Sequence, residues 1–82
     1  MVKILALTNN LILISQIEEV GADIGEPDCK LVNPYIILKD NILEPLLHEY
    51  TNENVFMIQS DKIITLADPK SSLLQKYENL IK

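Results

Sequence analysis

Two side chains here have the chemistry of a nucleophile and its base, Cys29 and His48, and each is the only one of its type. A cysteine attacks as its thiolate, which needs an adjacent imidazole or another cationic neighbour. No signature links the two, so Cys29 reads as a small buried hydrophobe and His48 as a partly exposed residue at a loop edge. Single copies also exclude an internal disulfide framework and a one-chain zinc site of thiolates and imidazoles. Glu18, Glu19, Asp23, Glu26 and Asp28 gather carboxylates in one stretch. Calcium loops space their oxygen ligands as D-x-D-x-D-G, which this stretch does not, so it reads as a charged loop. No phosphate-cradling glycine loop is present, and neither an enzyme nor a cofactor is expected. Three polar residues remain: Asn33, directly before Pro34, and Gln59 and Asp61 at the end of an apolar run. An asparagine before proline either reads a base edge or bends a strand through side-chain to backbone hydrogen bonds. Gln59 reads first as a polar strand end. Tyr35 and Tyr50 have the faces to stack nucleobases, but packing between subunits is the commoner use.

The elements that position these residues must come from a short chain. Its 82 residues make one domain whose core alone is marginal, so a disulfide, a metal or a partner subunit is needed. With the first two excluded, self-association remains, and a 48% apolar composition points the same way. Seven lysines, no arginine and twelve carboxylates give a net charge of −5, which opposes general binding to a phosphate backbone. Met1 to Leu7 carries one lysine and leads into Thr8-Asn9-Asn10 without a small-residue cleavage site. Neither a signal peptide nor a membrane span is expected, and the lone thiol suits a reducing cytoplasm.

Cys29 to Leu38 is the central apolar, β-branched run; Pro34 lacks an N–H and pushes Asn33 toward an extended conformation, so a strand passing through must bulge, bend or lie on an edge. Before it, Val2–Leu7 and Leu11–Val20 read as a hairpin closed by Thr8-Asn9-Asn10. Glu18 to Asp28, with both glycines and Pro27, reads as a solvated loop or a wide hairpin turn. The third strand is expected over Cys29–Lys39, with a break at Glu44-Pro45. Leu46 to Tyr50 fits an edge strand or one helical turn. Val55–Gln59 and Lys62–Ala67 read as two more strands, with Ser60-Asp61 as a tight two-residue connection. Both are apolar on both faces and need cover that one small layer does not supply. Asp68 as N-cap and Pro69 as first helical residue predict a C-terminal helix. Its apolar stripe is Leu73, Leu74, Tyr77, Leu80 and Ile81. The expected fold is mainly β, with five strands in a strongly bent antiparallel sheet over residues 1–67 and the helix, 68–82, in the same domain.

Three segments resemble the Sm-like family. Leu7 to Ile17 and then Cys29 to Leu38, with Val32-Asn33 at its centre, resemble the first Sm motif. Ile58-Gln59-Ser60-Asp61-Lys62-Ile63 resembles the second, and the whole is most similar to Sm-like proteins of bacteriophages, cyanophages in particular. The resemblance implies a small open barrel that assembles into a homo-oligomeric ring, pentamer to heptamer, with the fourth strand of one subunit paired to the fifth of the next. On that reading Val55, Phe56, Met57, Ile58, Ile63, Ile64 and Leu66 line the subunit interface, and Asn33, Gln59 and Asp61 face single-stranded RNA. The chain departs from the pattern at Leu31 and Gln59, where RNA-binding members carry the two side chains that sandwich a uracil. Cys29 replaces an aspartate, Ser60 a glycine, and Ala22 to Glu26 is an insertion. Base stacking is worth about 1–3 kcal/mol per base, so these departures remove much of a uridine site. The alternative expectation is therefore a ring that binds protein and has lost RNA binding.

Overall fold

A computed structural model describes all residues, 1–82. The organising strand is β3, Cys29–Ile37, and its bend falls where the sequence places it. Asn33 itself is not extended as expected before a proline: its φ is 53, in the left-handed region that asparagine tolerates better than most side chains, because the bulge requires it. Opposite it runs β2, Ile12–Glu19, with Ile14 paired to Tyr35 and Gln16 to Val32. Ser15 thus faces both Asn33 and Pro34, which makes a β-bulge with the extra residue on β3. The bulge also resets the side-chain alternation. Leu31 before it and Ile36 after it both pack in the core formed around Leu5, Leu13 and Leu31.

The remaining strands follow from this one. β1, Val2–Leu7, pairs with β2 through the turn at Asn10, whose φ is 68. β4, Leu43–Pro45, and β5, Val55–Ile58, share the other edge of β3. β5 takes Cys29 to Val32 and β4 takes Tyr35 to Ile37, one on each side of the bend. β6, Ile63–Ala67, pairs with β1. All pairs are antiparallel, in the order β4-β3-β2-β1-β6, with β5 beside β3. The sheet therefore has six strands rather than the expected five, because a short edge strand forms at Leu43–Pro45, where Glu44-Pro45 reads as a break. Proline is tolerated there since an edge residue needs no second hydrogen bond.

Three further expectations change. Leu46 to Tyr50 is neither strand nor helix but a series of turns, interrupted by Leu47 at φ 58. β5 and β6 do not form a hairpin; a 3-10 turn at Ser60–Lys62 joins them, and each pairs with a different strand. The helix, α1, covers Ser71–Leu80 with Lys70 as its N-cap. Asp68 does not cap it, because its carboxylate pairs with the Lys3 ammonium at 2.5 Å. Of the predicted stripe, Tyr77 is fully buried, Leu73, Leu74 and Ile81 are half-buried, and Leu80 faces solvent.

α1 lies on the sheet face opposite the Leu5, Leu13 and Leu31 cluster. Ile14 is buried on that face, paired with Tyr35, and the Tyr35 ring meets the Tyr77 ring edge-on at 5.7 Å. The Tyr77 hydroxyl reaches into the bulge. It donates to the Asn33 carbonyl at 2.8 Å and accepts the Gln16 N–H at 3.3 Å. Ser15, also fully buried, holds its Oγ 2.8 Å from the Gln16 carbonyl and 3.2 Å from that of Val32. The two hydroxyls satisfy backbone groups that the broken ladder leaves without a strand partner.

Candidate assembly and nucleic-acid interface

β5 pairs only with β3 and β6 only with β1, so each presents an outer border of N–H and C=O groups with no partner in the chain. The side chains on these borders are apolar. Val55 and Met57 are 42% and 46% exposed, and Ile64 and Leu66 65% and 49%. Phe56, Ile58 and Ile63, on the inner face, are half-buried. Ile64 stands out furthest because β6 bulges there, with Thr65 opposite Ala6 but Ile63 opposite Leu7. Beside β6 lies an open recess of about 450 Å³, lined by Met1, Ile17, Cys29, Ile63 and Leu66 among others. An apolar border with unpaired backbone is a template for another strand.

The residues expected to face RNA fall in two places. Gln59 and Asp61 line a second recess, of about 300 Å³, together with Asp23, Glu26 and Asp28 of the loop before β3. That loop is tied down. Gln59 Nε2 donates to the Gly25 carbonyl at 2.7 Å, and Gly25 has φ 88, a conformation glycine adopts freely. The Ser60 N–H and hydroxyl each donate to the Asp28 carboxylate at 2.7 Å. These two bonds, the hydroxyl's first, hold the Asp28 pKa below 3.8. Asn33 sits at the other end of β5. Its N–H donates to the Asn54 carbonyl at 2.7 Å, and its Oδ1 accepts from Asn54 Nδ2 at 3.0 Å. Cys29 pairs with Ile58 and Val32 with Val55, so the length of β5 separates Asn33 from Gln59 and Asp61. The structure joins the latter two with the acidic loop and not with Asn33.

Cys29 and His48 do not meet. Cys29 is buried beside β6 at the start of β3, and burial first, then the charges of Asp28 and Glu19, push its thiol above 9.0. His48 is half-exposed beyond β4, 3.7 Å from Glu44. Nor do three or more His, Cys, Asp or Glu residues converge as metal ligands. No helix is long and apolar enough to cross a membrane. Sequence reasoning passed over Asn54 and the Gly25 carbonyl, since neither a turn asparagine nor a backbone oxygen carries a signal of its eventual partner.

Fold and surface together define a small, mainly antiparallel β domain with a C-terminal helix and two unpaired apolar borders. The chain belongs to a family described as a family of unknown function (DUF6561), whose model matches residues 1–82. No curated protein matches it.

Proposed function

We propose that this chain is a non-enzymatic Sm-like protein of phage origin that acts in the cytoplasm as a closed ring of identical subunits. In that ring β5 of one copy pairs with β6 of the next. The observation that carries the reading is the pair of unpaired borders on one bent sheet, with exposed Val55, Met57, Ile64 and Leu66 and an open, largely apolar recess beside β6. Only eight residues are buried within the protomer, so a neighbour's strand adds core that the chain lacks. Joining unlike borders head to tail gives rings when the rotation closes. Light scattering on the purified protein tests this: a ring is expected at micromolar concentration, and Ile64→Asp is expected to release monomers. A wild-type monomer at that concentration refutes the reading.

The ligand we assign to the ring is single-stranded RNA, with Asn33, Gln59 and Asp61 as contacts. A specific observation favours a second reading, a ring that binds protein. Gln59 spends its amide on Gly25, and Asp23, Glu26, Asp28 and Asp61 surround the recess beside it, which repels a phosphate backbone. Titration of labelled oligo-U at low salt separates the two. Binding that salt weakens and Asn33→Ala or Gln59→Ala reduces supports RNA; absence of binding supports the protein ligand.

A further inference from the structure

The turn after β4 keeps a leucine where the backbone disfavours one. Leu47 has φ 58, a conformation that asparagine or glycine adopts more readily. Its carbonyl accepts the N–H groups of Tyr50 and Thr51 at 2.9 and 3.1 Å, so the turn is closed and both side chains have fixed origins. The His48 N–H donates to the Pro45 carbonyl at 3.4 Å, which sets Leu47 at the third position of a turn where a positive φ is required, a place that glycine or asparagine would fill at less cost. Leu46 is the residue of this turn that packs on the core, while Leu47 is 46% and Tyr50 82% exposed. A hydrogen-bonded turn that holds two large apolar side chains out in water points to a contact outside the protomer.

The turn stands at the start of β5, since residues 51–54 lead directly into Val55 and the Asn54 carbonyl is fastened to Asn33. At the far end of β6, Ala67 continues through Asp68, Pro69 and Lys70 into α1. A recess of about 370 Å³ opens there, with Ile4, Ile12, Ile37 and Leu73 as its apolar lining and Lys70 beside them. If one copy's β5 pairs antiparallel with the next copy's β6, as every strand pair in the sheet does, Val55 falls near Ala67. The Leu47 turn then falls near the neighbour's recess. The charges are complementary as well: Glu49 and Glu53 flank Tyr50, and Lys70 has no carboxylate partner within the protomer, whereas Lys3 is held by Asp68.

We infer that Leu47 and Tyr50 form a knob that seats in the recess between α1 and the sheet of the next copy, with Lys70 facing Glu49 and Glu53. The inference rests on the ring reading and names a second contact, independent of strand pairing. It is tested by following dissociation of the assembly on dilution, by sedimentation velocity. Leu47→Asn, which suits the left-handed backbone and keeps the fold by circular dichroism, is expected to raise the dissociation midpoint at least tenfold. Tyr50→Ser acts in the same direction. Lys70→Glu weakens the assembly too, and adding Glu49→Lys and Glu53→Lys to it restores the midpoint. A wild-type ring whose midpoint is unmoved by Leu47→Asn and Tyr50→Ser overturns the knob and leaves the ring standing. A wild-type monomer overturns the ring and the knob with it.

Discussion

Replacing Tyr77 by phenylalanine removes one oxygen from a fully buried site and leaves the ring in place against Tyr35. The lost hydroxyl is the acceptor for the Gln16 N–H and the donor to the Asn33 carbonyl. The Val32 carbonyl, 3.3 Å from the same oxygen, keeps the Ser15 hydroxyl. Two backbone groups are therefore left without a partner in the bulge, and each such group costs about 1–3 kcal/mol, the lower end where the site can relax. The expected loss is about 2 kcal/mol, which for a domain of this length corresponds to about 8–16 °C in Tm. Equilibrium urea unfolding at neutral pH and one fixed protein concentration measures it, the concentration held because the proposed assembly would add to apparent stability. A second signature comes from alkali. Burial pushes the Tyr77 hydroxyl above its usual 10.0, so the unfolded chain ionises first. The stabilising contribution is complete below pH 10.0 and drains away as pH rises through the folded value. The phenylalanine variant lacks that alkaline loss. A variant within about 0.5 kcal/mol of wild type, the range of an ordinary surface change, with an unaltered alkaline profile, would refute the hydroxyl's role in the bulge.

Two further substitutions test the same bend and the loop beside it. Asn33→Val places a β-branched residue at φ 53 and is expected to lose about 1–3 kcal/mol in urea unfolding; Asn33→Gly keeps most of the stability, and equal losses from the two would show that the backbone conformation is not what asparagine supplies. Asp28 contributes stability that is present above pH 3.8 and lost as pH falls through its lower folded value; Ser60→Ala removes the larger, hydroxyl part of that component and leaves the backbone N–H bond, seen as a partly flattened acid limb in thermal melts between pH 5 and 2.

The bend was legible because its chemistry is local. Asn33-Pro34 interrupts an apolar run and forbids a ladder donor, which places the bend, although Asn33 takes a left-handed φ of 53 where its proline neighbour predicts an extended one; at the Asn10 hairpin the positive φ follows from the asparagine itself. The helix was legible from its stripe, although its start was not, because Asp68 had a distant lysine to pair with. What escaped is what tertiary pairing decides. Ser60-Asp61 has the residues of a tight turn, but β1 and β3 compete for the two strands it joins and pull them apart. Leu73, Leu74 and Tyr77 announce an apolar face; nothing in their spacing says that the tyrosine oxygen will complete a bulge in strands 44 and 61 residues away. For the proposed RNA contacts, residue type placed Asn33, Gln59 and Asp61 in one group, whereas the β3–β5 register sets them at opposite ends of a strand.

One inserted residue connects the core to the free borders. With strict alternation, Leu31 and Ile36 would face opposite sides of β3; the bulge at Asn33-Pro34 turns both into one core and sets Val32 and Tyr35 on the face that α1 covers. The same break ends β5 at Val32 and gives the rest of the β3 edge to β4 from Tyr35 onward. β5 is thereby held along only half of its neighbour, with its other side open to solvent. On the far side of the sheet β6 has one partner in β1 and an exposed bulge at Ile64. Bending the sheet brings apolar side chains inward but leaves too few strands to close it, so the two borders stay unpaired, with an open recess beside β6. Covering them within one protomer would take another strand, and the most economical source of that strand is an identical copy.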